Sequence, residues 1–192
     1  MYNENRRYTN RDHKSAMSLE GIKIFEPIVH EDERGHFFEP FSKEIYEELQ
    51  EKFYQDNHSY SKKHVIRGLH YQWDKPMGKL IRVVSGSIID YYVDIRKDSK
   101  TYGKWDSVLL SANNKKVLWV PPGFAHGFES LEDENIVLYK CTSFYNPAGE
   151  SGINPFDDEL AIPWTAPNHK RNLSEKDLNS KTFLEYKKEP KF

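Results

Sequence analysis

The chain has 192 residues, enough for one domain with a sizeable core. Charged residues make up 30% and the formal net charge is −2, a balance that argues against a protein gripping nucleic acid with a basic surface. No apolar run approaches the roughly 20 residues of a membrane helix, the N-terminus has no apolar signal core, and Cys141 stands alone, all of which fits a cytoplasmic protein.

Residues 1–18 are polar, charged and without period, and predict a mobile N-terminal extension. Residues 19–185 are expected to form a single domain, and 186–192 a loose tail. The run over 21–29 reads as a strand up to Pro27. A charged turn at 30–35 leads into His36-Phe37-Phe38-Glu39-Pro40-Phe41. Ser42 is placed to cap a short helix over 43–53, with Ile45, Leu49 and Phe53 at helical spacing.

From residue 54 onward, short strand-like runs alternate with turns, and a polar loop is expected at 59–63. Residues 65–84 carry two such runs around a turn built on Asp74, Lys75, Pro76 and Gly78, which predicts a hairpin. It holds Arg67, His70, Gln72, Lys79 and Arg82 among apolar neighbours. Polar groups in a half-buried hairpin cost free energy unless paired, so a concave site is expected here.

Residues 88–95 alternate, with Ile89, Tyr91, Val93 and Ile95 on one face and Asp90, Tyr92 and Asp94 on the other. Further strands are expected at 105–110, 117–120, 124–130 and 136–142. Asn113-Asn114 and Glu132-Asp133-Glu134 supply turns. Strands at such regular spacing, with one short helix early, predict an all-β barrel or two-sheet jelly roll. After Phe144 the chain becomes irregular, with Asn146, Pro147, Gly149, Gly152, Pro155, Pro163 and Pro167, and ends in a short helix over 173–178 capped by Ser174. Loops this long within a compact domain usually carry function or lie over a site.

Pro121-Pro122-Gly123-Phe124-Ala125-His126 matches P-x-G-x-x-H, which resembles the second motif of cupin barrels. The first cupin motif needs H-x-H and a carboxylate, whereas His70-Tyr71-Gln72 has glutamine at the second histidine position. Two histidines with no obvious carboxylate partner are too few for a transition metal, which generally takes three or more ligands. No metal and no cofactor are therefore expected. Taken alone, His126 is as readily a hydrogen-bonded core histidine as a functional one.

Longer motifs carry a more specific resemblance. Arg67-Gly68-Leu69-His70-Tyr71-Gln72, Gly78-Lys79-Leu80-Ile81-Arg82-Val83, Val93-Asp94-Ile95-Arg96 and Pro122-Gly123-Phe124-Ala125-His126-Gly127-Phe128 are similar to those of dTDP-4-dehydrorhamnose 3,5-epimerases. Asp32-Glu33-Arg34-Gly35 with Phe38-Glu39, Gln55-Asp56-Asn57, Leu138-Tyr139-Lys140, Tyr145-Asn146-Pro147 and Leu173-Ser174-Glu175-Lys176-Asp177 follow in family order. The resemblance implies a metal-free, cupin-type jelly-roll homodimer that inverts C3 and C5 of a 4-keto-6-deoxyhexose on a thymidine diphosphate carrier.

Hydrogens on carbons beside a ketone are weakly acidic, so inversion needs a base on one face, a proton donor on the other and positive charge at the enolate oxygen. The resemblance makes His70 the base, Asp177 its orienting carboxylate, Lys79 the group at the keto oxygen and Tyr139 the donor. An unperturbed imidazole titrates close to neutral pH, which suits a base. Read locally, Asp177 would instead complete a capping box with Ser174. Arg34, Arg67 and Lys176 are expected on the diphosphate. Glu39, Gln55, Asn57, His126 and Glu150 are expected as nucleotide and sugar contacts, and Tyr145 against the thymine ring. Met77 and Asn154-Pro155-Phe156 depart from the family pattern, which touches substrate detail more than reaction type. The motifs alone leave open a mono-epimerase, a metal-dependent cupin enzyme and a non-catalytic sugar-binding cupin.

Overall fold

Two antiparallel sheets face each other in the computed structural model, which describes residues 8–10 and 19–192. The first sheet contains, in spatial order, β1 (Tyr8–Asn10), β2 (Lys23–Pro27), β10 (Val117–Val120), β7 (Lys79–Ser85), β12 (Asn135–Cys141) and β5 (Gln55–Ser61). The second contains β13 (Glu150–Gly152), β6 (Ile66–Gln72), β11 (Phe124–Ser130), β8 (Ser87–Asp94) and β9 (Trp105–Ser111). A separate hairpin, β3 (His30–Asp32) and β4 (Gly35–Phe37), lies exposed. This is the all-β jelly roll expected from the strand spacing, although its two sheets do not join into a closed barrel. No helix among the described residues is long and apolar enough to cross a membrane.

Alternation builds three apolar layers rather than one. Ile81, Val83, Val137, Leu118 and Val120 from the first sheet meet Ile88, Tyr92, Val108, Phe124 and Phe128 from the second, filling the space between them. The outer face of the first sheet, with Phe25, Leu80, Val117 and Trp119, is covered by Ile45 of helix α1 (Lys43–Leu49). That helix is shorter than the spacing predicted, because Gln50 turns left-handed at φ 53° and closes it through Tyr46 O. Ser42 occupies the cap position but its hydroxyl bonds Glu44 Oε2.

The third layer explains the long irregular segment. Ile153, Leu160, Ile162, Trp164, Phe183 and Tyr186 pack on Ile66, Leu69, Tyr91, Val93 and Ile95, so β8 is buried on both faces. Much of 144–185 is therefore a cover for the second sheet, and Tyr145, Glu150 and the stretch around 172–177 reach the cavity described below. Residues 186–192, expected as a loose tail, are docked instead. Tyr186 closes helix α3 (Phe183–Lys188) from a buried position and donates to Ile95 O, while Phe192 packs on Tyr71 and accepts from Lys97 N. Aromatic burial outweighs the polar texture that suggested looseness.

Two other expectations change. The polar residues 59–61 continue β5 instead of forming a loop, paired with Asn135, Ile136 and Val137. The stretch 65–84 is not a hairpin, because β6 and β7 belong to opposite sheets and never pair with each other. The extension expected over 1–18 falls mostly outside the described residues, of which 8–10 pair with β2.

Candidate active site

The sheet switch between β6 and β7 places their polar residues on facing walls. Between those walls opens a cavity of about 590 Å3, within the usual range for a ligand site. His70 and His126 stand directly opposite each other on neighbouring strands β6 and β11. Lys79 and Tyr139 come from β7 and β12 of the other sheet, where Cys141 is the register partner of Lys79 and Asn57 that of Tyr139. The strands carrying the two histidines approach unusually closely. A Cβ on Gly68, whose φ is +123°, would lie 2.5 Å from Gly127 Cα and 2.8 Å from His126 O, so glycine is required there.

His70 is held by Asp177. Its Nε2–H donates to Asp177 Oδ1 at 2.6 Å, and Asp177 Oδ2 accepts the Gly68 N–H at 3.3 Å. An acceptor-only carboxylate fixes the proton on Nε2, leaving Nδ1 without a hydrogen-bond partner among the described residues. Ser174 caps α2 (Glu175–Leu178) by accepting the Asp177 N–H at 3.1 Å, which aims the aspartate side chain at β6. The local capping reading is thus half realised: the backbone of Asp177 uses the cap and its carboxylate serves His70. Burial pushes Asp177 up, but the bonds from His70, Gly68 and Ser174 together hold it below the usual carboxylate range.

The other groups divide by charge. Burial lifts the Tyr139 phenol above its ordinary value, so it remains protonated at neutral pH and able to donate. Burial also pulls the Lys79 ammonium down, opposed by Cys141, Glu150 and Asp90. The Cys141 thiol is pushed up to about 11 by burial and stays neutral. His126 has a carboxylate of its own, Asp90, whose Oδ2 accepts Nε2–H at 2.8 Å. Sequence reading saw neither carboxylate partner from local spacing, because they lie 107 and 36 residues away from their histidines. Among the described residues, no group of three or more His, Cys, Asp or Glu is placed to hold a metal ion.

Arg67, Gln55, Asn57, Tyr145, Glu150 and Lys176 line the same cavity. Arg67 is braced by Ser61 Oγ and Tyr60 O, and Gln55 links Asn57 to the Tyr145 backbone. Lys176, expected on a diphosphate, is paired with Glu150, which also accepts from Tyr145 OH at 3.1 Å. The Lys176 bond therefore spans the cavity rim between α2 and β13. Two expected contacts are not brought in: Arg34, with 85% of its side chain exposed, pairs with Asp32 on the β3–β4 hairpin, and Glu39 follows that hairpin outside the cavity. Met77 and Ser59 also line the cavity, the latter through the inward alternation of β5 that a loop reading hid.

A family model described as dTDP-4-dehydrorhamnose 3,5-epimerase matches residues 16–185. A dTDP-4-dehydrorhamnose 3,5-epimerase from Methanothermobacter thermautotrophicus is 49% identical over 172 residues, covering 88% of this chain and 92% of that relative. Among solved structures, a dTDP-6-deoxy-D-glucose-3,5-epimerase from Legionella pneumophila in complex with dTDP-4-keto-L-rhamnose is similar, with a TM-score of 0.83 and 44% identity over 88% of this chain and 90% of that one. A 3'-monoepimerase from Streptomyces bikiniensis in complex with dTDP-quinovose aligns with a TM-score of 0.84 at 31% identity, over 90% of this chain and 88% of that one.

Proposed function

The chain belongs to the dTDP-4-dehydrorhamnose 3,5-epimerase family and is an epimerase of that kind, and from this premise we propose how its cavity works. The substrate is dTDP-4-dehydro-6-deoxy-D-glucose and the product dTDP-4-dehydro-L-rhamnose. His70 Nδ1 removes the proton from C3 or C5, and the pair of electrons moves onto the keto oxygen. Asp177 keeps the imidazole in the required tautomer and stabilises the imidazolium that forms. Lys79 meets the enolate oxygen, an oxyanion contact on the order of 10²–10³ in rate. Tyr139 then delivers a proton to the opposite face of the carbon, and solvent exchange returns His70 and Tyr139 to their starting forms.

Arg67 and Lys176 bind the diphosphate, with Lys176 exchanging Glu150 for phosphate oxygens. Gln55, Asn57, Glu150 and His126 contact sugar and nucleotide, and Tyr145 takes the base. The observation that carries the mechanism is that His70 and Tyr139 enter one cavity from opposite sheets. Proton NMR of the dTDP sugar with the enzyme in deuterated water tests it. Deuterium at both C3 and C5 is the expected result; deuterium at one carbon would restrict the enzyme to a single inversion, and none would remove the mechanism.

The reading includes a homodimer. Arg34 and Glu39, implied by the resemblance to touch the substrate, lie outside their own chain's cavity beside an exposed Phe37. A two-fold related copy whose β3–β4 hairpin covers the cavity mouth supplies both, and buries Phe37. Light scattering is expected to give twice the chain mass, and a monomer at working concentration would sink this assignment.

A further inference from the structure

Behind the cavity wall lies a second histidine–carboxylate pair, and its acid is the most completely buried charge beside the reacting groups. Asp90 is 0% exposed on β8, while His126 on β11 is 7% exposed. Asp90 spends Oδ2 on His126, and its Oδ1 is buried without a hydrogen-bond partner among the described residues. A carboxylate with one unpaired oxygen in an apolar wall is costly unless a charge nearby compensates it.

On its own sheet Asp90 has His126, and His70 is already engaged by Asp177. Lys79 lines the cavity from the facing sheet, in the same lining as His126 and Glu150 and in register with Cys141, and the Asp90 and Lys79 charges favour each other. Cys141 is a neutral thiol, and Glu150 lies at the rim, partly exposed and paired with Lys176. Asp90 is the fully buried anion that acts on the Lys79 ammonium, where solvent does not screen it. Burial disfavours the charged form of both, pushing Asp90 up and Lys79 down. Even so, a shared proton stays on the lysine unless burial overcomes the gap of roughly six units between their ordinary values. With Lys79 cationic and Asp90 ionised, a charged His126 would add an unbalanced positive charge, and burial moves that imidazole toward its neutral form.

We infer that Asp90 is a positioning residue for the epimerisation, fixing His126 in one tautomer and keeping Lys79 cationic where the keto oxygen gains negative charge. It touches no substrate and acts through those two side chains. The inference rests on Lys79 serving the keto oxygen, as proposed above.

Asp90→Asn keeps the shape and removes the charge. Without its balancing anion Lys79 gives up its proton more readily, so the basic limb of the kcat profile moves to lower pH by roughly one unit or more. Burial moves the Tyr139 phenol the opposite way, upward, so a limb that shifts to lower pH reports Lys79. Affinity for dTDP, which lacks the ketosugar, is expected to stay unchanged, and kcat rather than KM falls. A variant that binds dTDP, exchanges deuterium and keeps the wild-type limb would overturn the inference while leaving the epimerase mechanism standing. Loss of deuterium exchange at every pH in wild type would instead strike the mechanism itself. If Asp90→Asn does not fold, the double variant Lys79→Gln/Asp90→Asn is expected to restore soluble protein, since it removes both charges. A double variant that fails to fold where Lys79→Gln alone succeeds would equally refute the coupling.

Discussion

His70→Ala is expected to lower deuterium uptake at the sugar carbons by roughly 10²–10⁴ while dTDP binding persists. The size follows from the role: a positioned base contributes that much, and no other described residue along the cavity has a free imidazole nitrogen in the same place. Its neighbour His126 faces it in register but has its own carboxylate and sits in a more buried setting. The substitution also removes the Asp177 partner at 2.6 Å, leaving that carboxylate with the Gly68 N–H as its remaining contact on β6. A stability loss of about 1–3 kcal/mol is expected from that gap, read as a lower melting temperature. Uptake comparable to wild type in a folded His70→Ala enzyme would place the base elsewhere.

Tyr139→Phe should separate two events that wild type couples. With His70 intact, the proton still leaves and solvent deuterium still returns through the imidazole, on the face from which it was taken. Net inversion, which needs the opposite-face donor, falls by roughly 10²–10⁴. The variant is therefore expected to wash deuterium into the starting sugar with retained configuration. The phenol's burial favours a clean comparison, because phenylalanine fills nearly the same space against the apolar layer between the sheets. Measured by NMR, exchange and inversion lost in equal proportion would argue that Tyr139 serves binding or shape and not proton return.

Much of the architecture could be read locally. The strand-like runs over 88–95, 124–130 and 136–142 match real strands within a residue or two, and the alternation over 88–95 separated the two faces of β8, because side chains on a strand alternate faces whatever the strand pairs with. Ser174 announced α2, since a cap is a contact within one turn of chain. His70, Tyr139, Lys79 and Asp177 were marked through motif resemblance, and the cavity does gather them. Failures arose where a local pattern had two non-local realisations. Two runs around a Pro-Gly turn look the same whether they pair with each other or cross between sheets, and here they cross. Polar residues alternating on β5 looked like a loop because half of them face a polar cavity instead of an apolar core.

The amino-acid order by itself settled the two faces of β8, the cap at Ser174 and the supply of an imidazole, a phenol, an ammonium and a carboxylate. All of these depend on neighbours within a few residues. Only the tertiary structure decided that Asp177 reaches His70 across 107 residues, that Asp90 stands behind His126, and that Arg34 lies outside the cavity. Strand pairing is a long-range choice made by how apolar faces fill the space between sheets, and periodicity names the face without naming its partner.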